Sequence, residues 1–446
     1  MPYKLADEVF VVDHEDSPIL YAPFDGVVAR VTRQMADELK AVRLHGLTPS
    51  PDTIATLNSM ALIVPSETPE RALRGTWDEL FTPVGVVYMV TAACNLRCTY
   101  CYADAGDYPV SLYNRQMALD AAKFVVDNAN AVGSDAVYLN FHGGGEPTLD
   151  FELIQTVIEW ARDYASKTHD GLVHVNASMV TNGLVSNSKA KWIAANFDSV
   201  QVSHDGPEAV HDLQRPTVRG GKSYSRVREV IKQFTGRVPD LMIKATISRA
   251  TVARMPEIAR YMCESFELDR FHFGPVLGTG RGRSLVFGEP DPAEFVRYYY
   301  EAQKIADEYG KTIVVSGALS TFPNVRRTFC GVTDPNFSLT SDGHISSCYE
   351  IMNDDDRRAT QAYYGRYNRE TRKFEVDGNR IAKLRLHDVN AISKCKDCFA
   401  KWQCAGDCQA RWYNSKTGDR ETGIDVRCEI SRTLIRDRLL EIVSVS

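Results

Sequence analysis

Three cysteines inside eight residues constrain this chain more than any other feature of its sequence. Cys94, Cys98 and Cys101 stand in TAACNLRCTYCY, a C-x3-C-x2-C spacing that follows the apolar run from Val84 to Val90. Three thiols this close cannot all pair with one another as disulfides. A tight loop at a strand end can instead turn all three thiolates onto one concave side. A cubane iron–sulfur cluster asks for one outside ligand per iron, so three cysteines leave one iron open. An open iron can be chelated by a small molecule that carries an amine and a carboxylate. The competing reading is a zinc knuckle. A structural zinc takes four protein ligands, and no further cysteine or histidine lies close by in sequence.

The rest of the composition narrows the setting. With 446 residues the chain has room for more than one domain. Hydrophobic residues at 44% and charged residues at 25% are the balance of an ordinary globular chain. A net charge of -6 gives no reason to expect nucleic acid or an anionic membrane as a partner. No window reaches the apolar length of a membrane span, and MPYKLADEVFVVDHED lacks the basic start and apolar core of a secretory signal. Eleven cysteines without a signal point to metal or redox chemistry in a reducing compartment, so a cytoplasmic location is expected.

Taken in order, EVFVVDH, PILYAPF and GVVARVT read as three short strands. RQMADELKAVR and PDTIATLNSMALIV read as helices after them. This first region, 1–80, is similar in architecture to the small winged-helix-like domains that bind leader peptides; a plain cap on the following domain is the alternative. From Pro83 to about Gly280, strands and helices alternate. VGVVYMVT, AVYLNFHG, VHVNASMV, DSVQVSHD, LMIKATIS and RFHFGPV read as strands, which means a parallel sheet with right-handed crossovers. Six such units are too few for an eight-stranded barrel. In parallel sheets the ligand sits at the carboxyl ends of the strands. GTGRGRSL after the sixth strand reads as a flexible basic loop whose Arg281 and Arg283 stay solvated or meet substrate. DPAEFVRYYYEAQKIADEYG reads as a helix in a bridging segment, 286–325.

The motifs at those strand ends resemble one family. The cysteine loop, with Tyr100 just before its third cysteine, is similar to the cluster motif of the radical S-adenosylmethionine (SAM) enzymes. HGGGEP after the second strand resembles that family's GGE motif, and SHDGP followed by HD and Arg215 resembles two more of its motifs. The resemblance implies an α/β fold, a partial (β/α)6 barrel over 81–285. It also implies SAM-binding roles for Tyr100, Gly144, Gly145, Glu146, Asn182, Ser203, Arg215, Thr246 and Leu277. Glu146 would hold the amino group, Ser203 and Arg215 the sugar and carboxylate ends, and Tyr100 and the backbone near Leu277 the adenine. For Asn182 and Thr246 a simple strand-end turn residue is the alternative.

A second cysteine field fills 326–446. Cys330, Gly343 and Cys348 are followed by Cys395, Cys398, Cys404, Cys408 and Cys428. The spacing resembles the SPASM domain, the auxiliary-cluster domain of peptide-modifying radical SAM enzymes. It implies an outer cluster on Cys395, Cys398, Cys404 and Cys428 and an inner one on Cys330, Cys348 and Cys408. Three 4Fe–4S clusters and SAM are therefore expected as cofactors. A pair of zinc sites is the alternative, although seven cysteines do not close two such sites without a histidine. Fully ligated members carry one more cysteine before the position of Cys330. TFPNVRRTF supplies none, which implies an open iron in the inner cluster. Cys263 stands alone and reads as a packing residue. Sulfatase maturases carry an aspartate base after the position of Cys348, where this chain has Tyr349 and then Glu350.

By the resemblance, a reduced cluster breaks SAM to methionine and a 5′-deoxyadenosyl radical, which takes hydrogen from the substrate. The expected substrate is a ribosomal precursor peptide, and the expected product carries a thioether or carbon–carbon cross-link. Flavodoxin or ferredoxin would supply the electron. Two other readings remain open: oxidation of a protein side chain, as in sulfatase maturation, and an iron–sulfur electron carrier. The SAM-type motifs speak against the carrier, which has no use for a SAM pocket.

Overall fold

The computed structural model describes residues 3–15, 17–69, 81–107, 113–168, 173–315, 317–318, 324–331, 336–352, 354–356, 358–385, 388–408 and 425–445. The chain begins with β1 (Tyr3–Leu5), β2 (Phe10–Val12), β3 (Ile19–Ala22) and β4 (Val27–Arg30), two helices, and β5 (Ile63–Pro65). β2, β3 and β4 form an antiparallel sheet, and β1 pairs with β5. The helix Pro51–Ser59 starts as expected: Pro51 stands at its first position and the Ser50 side chain caps it. It stops earlier than the sequence reading has it. Ala61 takes a left-handed φ of 56, and the β-branched Ile63 and Val64 leave the helix for β5.

The expected strands follow as β6 (Gly85–Met89), β7 (Ala136–His142), β8 (His174–Thr181), β9 (Ser199–Ser203), β10 (Asp240–Ile247) and β11 (Arg270–Pro275). Each pairs in parallel with its neighbour. The crossover helices carry their own signals. Asn114 caps Arg115–Val132, Gly133 ends it in the left-handed region, and Met117, Ala118, Ala121, Ala122, Val125 and Ala129 form its buried stripe. The bridging segment is not purely helical. After the helix Pro292–Glu308 it adds β12 (Thr312–Val315), a further parallel strand on β11.

The cysteine-rich region adds β13 (Asn336–Leu339), β14 (His344–Ser346), β15 (Tyr363–Asn368) and β16 (Lys373–Val376). β13 pairs in parallel with β6, and the others continue as antiparallel neighbours. One eleven-stranded sheet therefore runs from β12 through the barrel to β16. The sequence boundary at 326 is crossed by backbone hydrogen bonds.

The first region packs against the second cysteine field. Phe10, Val12, Ile19 and Tyr21 share a core with Val389, Ile392, Cys395, Trp402 and Ile435. Glu8 accepts hydrogen bonds from Lys401 at 2.7 Å and from the Trp402 indole at 2.8 Å. Gln403 donates to the Tyr21 hydroxyl at 2.7 Å. No helix among the described residues is long and apolar enough to cross a membrane.

Candidate active site

The loop after β6 is tied from several sides. Arg97 and Thr99 donate backbone hydrogen bonds to Pro216 and Gln214 at 2.8 and 2.9 Å, and Val218 donates to Asn95. Arg97 turns its guanidinium back onto the carbonyls of Cys94, Leu96 and Gly106. The Cys94 sulfur accepts from the Leu96 N–H at 3.4 Å, and the Cys101 sulfur accepts from Ala105 at 3.4 Å. Leu96, Cys98, Tyr100 and Val276 form a small apolar cluster, with Cys94, Cys101 and Leu184 against it. Burial pushes Cys98 up to about 12 and also raises Cys94. A metal reverses this, because a coordinated thiol gives up its proton. Three soft donors brought into one apolar recess suit a soft metal centre.

Arg281 departs from the sequence reading. It is not a solvated loop residue: Gly280–Arg283 is a short 3-10 turn. The Arg281 guanidinium donates to the Cys98 carbonyl at 2.9 Å and to Ala105, its backbone N–H donates to Cys101, and it pairs with Asp107.

Beneath the loop lies a buried polar network. The Tyr100 hydroxyl donates to Asp205 Oδ2 at 2.7 Å and accepts from Arg215. Gln214 donates to the same carboxylate at 3.0 Å, and the Thr246 N–H donates to Asp205 Oδ1 at 3.0 Å. Burial pushes Asp205 up, while Arg215 and the three donors pull it back. Three donors aimed at one carboxyl group fit its ionised, acceptor-only form. Arg215 is held firmly protonated: burial opposes its charge, but Cys98, Tyr100 and Asp205 outweigh burial. Asp205 and Gln214 were not singled out in the sequence, although one lies inside SHDGP and the other directly before Arg215.

Glu146 is 2% exposed and binds across two strand ends. It accepts from the Thr148 side chain and N–H, from Thr181 at 2.8 Å and from the Asn182 N–H at 2.7 Å. Its pKa is raised, because burial outweighs those donors. Asn182 donates to Asn95 at 2.7 Å and to the Cys94 sulfur at 3.7 Å. Of the glycines before Glu146, Gly145 is required by close approach to backbone, and Gly144 faces a methionine side chain. A Cβ on Gly145 would sit 1.9 Å from the Ala93 carbonyl, and one on Gly144 would sit 2.8 Å from the Met352 sulfur. Ser203 ends β9 on its inner face, and the Leu277 carbonyl accepts from Thr279 just past β11.

The second cysteine field separates into two groups. Cys404 is pushed up to about 12 by burial, with Asp407, Cys395 and Cys398 adding to the effect. Cys428 is raised by burial and then by Cys404, Asp407, Cys395 and Cys398. Cys348 and Cys408 are likewise raised by burial first, and each also feels Cys330. Cys263 lies elsewhere, buried in the main core on the helix Met255–Ser265. Of the run before Cys330, residues 321–323 lie outside the described residues. Tyr349 stacks on His142 with ring centroids 5.3 Å apart. Glu350 pairs with Arg358 at 2.9 Å. Tyr102, next to Cys101, is raised by burial and also feels Cys101, Glu350, Cys348 and Cys408. It therefore feels thiols of both the first loop and the inner group.

Residues 88–273 match the model of the radical SAM superfamily. A cysteine-type anaerobic sulfatase-maturating enzyme of Clostridium perfringens is 25% identical over 342 residues, 72% of this chain and 86% of that protein. The mycofactocin maturase MftC of Mycolicibacterium smegmatis is 28% identical over 184 residues, 40% of this chain and 42% of that one. Among solved structures, anSMEcpe with bound AdoMet superposes with a TM-score of 0.62 at 20% identity, covering 81% of this chain and 99% of the other. SuiB of Streptococcus suis, bound to its precursor peptide SuiA, superposes with a TM-score of 0.53 at 15% identity, covering 94% and 99%.

Proposed function

From the premise that residues 88–273 form a radical SAM domain, we propose that this chain is a radical SAM peptide maturase that installs a cross-link, thioether or carbon–carbon, in a ribosomal precursor. In this reading Cys94, Cys98 and Cys101 hold the catalytic 4Fe–4S cluster. Cys395, Cys398, Cys404 and Cys428 hold the outer auxiliary cluster, and Cys330, Cys348 and Cys408 the inner one. When bound, the cluster and SAM supply hydrogen-atom abstraction from substrate. The chain's own residues bind and orient. Glu146 and Arg215 take opposite ends of SAM, with Gly144, Gly145, Asn182, Ser203, Thr246, Leu277 and the Tyr100 ring lining the space between them. The domains are the first region 1–80, the barrel 81–285, the bridge 286–325 and the cysteine-rich domain 326–446. A flavodoxin or ferredoxin is the electron donor.

The observation that carries this reading is Tyr102, on which Cys101 of the first thiol loop and Cys348 and Cys408 of the inner group all act electrostatically. Cys330, Cys348 and Cys408 would hold a cluster that supplies an acceptor for the electron left on an oxidised product. The similarity to SuiB and MftC supports a peptide substrate. The test is anaerobic conversion of a candidate precursor with SAM and reductant. A cross-link gives a product lighter by two hydrogens whose fragments stay joined. An unmodified precursor, with 5′-deoxyadenosine still released, would contradict it.

Oxidation of a protein side chain is the second reading, favoured by the length of the match to the Clostridium perfringens enzyme. Against it, Tyr349 stands where those enzymes have an aspartate and is stacked on His142, while Glu350 is engaged by Arg358. Formylglycine formation in a sulfatase-motif peptide would decide for it.

A further inference from the structure

The inner face of the barrel carries a cation that is none of the proposed SAM contacts. On β10, Ile243, Ala245 and Ile247 are fully buried in the main core, so strand alternation sends Lys244 and Thr246 to the inner face. Lys244 lies opposite Ser203 on β9 and His272 on β11. Its Cε is 3.7 Å from where a Cβ on Gly274 would be. Gly274 pairs with Thr246, two residues nearer the carboxyl ends of the strands. The lysine stem therefore leans toward the mouth of the barrel, over a residue with no side chain to block it.

Among the described residues the one anionic group that acts on this charge is the Cys408 sulfur. Burial pushes Lys244 down to about 8, Arg427 pushes the same way, and Cys408 alone pulls back. No carboxylate among the described residues pairs with it. His142 and His272 are each pushed down to about 4, by burial first and Lys244 second, so both are neutral at pH 7. A half-buried cation on the inner face of a barrel, with no protein carboxylate on it, is open to a ligand of opposite sign.

We propose that Lys244 is a substrate-binding residue that pairs with a carboxylate, side chain or chain terminus, of the peptide segment lying in the barrel. The identity of the ligand rests on the peptide-maturase reading; the anion site itself does not.

The test reads Lys244 directly in cluster-loaded protein, by trace reductive methylation and mass spectrometry, with the other lysines as internal controls. The probes are SAM and two acetylated, amidated glycine-rich pentapeptides, one with a central aspartate and one with asparagine. An opposite charge within reach raises an amine's pKa by about 1–3 units, so the aspartate probe should slow methylation of Lys244 roughly 10-fold or more in SAM-saturated protein. The asparagine probe should not. In Lys244→Gln the preference for the aspartate probe, read by calorimetry, should vanish. Equal protection by both probes, or by neither, overturns the proposal. Full protection by SAM alone would assign Lys244 to the SAM carboxylate. Protection by cluster loading alone would assign it to the thiolate of Cys408. Either result also overturns it. Protection by the aspartate probe in a protein that cross-links no precursor would uphold the anion site and reject the maturase reading.

Discussion

Replacing Asp205 with asparagine should cost more than one hydrogen bond. The carboxylate is fully buried and receives Tyr100, Gln214 and the Thr246 N–H. Arg215, itself 4% exposed, reaches it through the Tyr100 hydroxyl. Deleting one partner of a buried charged pair leaves the other uncompensated, at about 3–5 kcal/mol. Against a typical total stability of about 5–15 kcal/mol, that is a large share. Tyr100 belongs to the thiol loop, so the loss should also loosen the first metal site. The assay is guanidinium unfolding of anaerobically purified protein, with iron counted per chain. Asp205→Asn should unfold at a clearly lower midpoint and lose iron from the first site only. Adding Arg215→Met removes the stranded charge, so the double variant should be less damaged than the sum of the two single variants. Strict additivity, or a cost for Asp205→Asn below about 1 kcal/mol, the net value of a typical hydrogen bond, would rule out a buried charge pair between Asp205 and Arg215.

Three further outcomes are expected. Glu146→Ala should weaken SAM binding by about 2–5 kcal/mol in equilibrium dialysis with iron content unchanged; unaltered binding would take Glu146 out of the pocket. Deleting residues 1–80 should abolish leader-peptide affinity and also lower iron at the outer group, because Glu8 and Tyr21 hold Lys401, Trp402 and Gln403; full iron in the truncated chain would count against that packing. His272 has its folded pKa lowered to about 4, so the unfolded chain binds more protons below its ordinary value of about 6.5. Stability should fall as pH drops through that window, and His272→Asn should flatten the slope; an unchanged slope contradicts the assignment.

Much of the fold was legible because its signals are local. All six barrel strands and the helices with clear apolar stripes lie where periodicity put them, and the thiol loop is a spacing that can be read directly. What could not be read depends on distant partners. PDTIATLNSMALIV looks helical throughout, but pairing with β1 takes its end into a strand. TIVV is too short to stand out until β11 offers it an edge. Arg281 looks like any loop arginine until the carbonyl of Cys98 is found beside it. Nothing in residues 1–80 says that they pack on the second cysteine field, because an apolar strand face does not name its partner.

SAM-dependent radical chemistry at the thiol loop leaves one product that can be counted, 5′-deoxyadenosine. Reconstituted protein is incubated anaerobically with SAM and dithionite, and 5′-deoxyadenosine is quantified for the natural chain and for the Cys94→Ala, Cys98→Ala, Cys101→Ala triple variant. 5′-Deoxyadenosine is expected from the natural chain and none from the triple variant, which should keep iron only in its carboxyl-terminal groups. Equal amounts from both, or none from a natural chain with all its iron, would contradict radical chemistry at the loop.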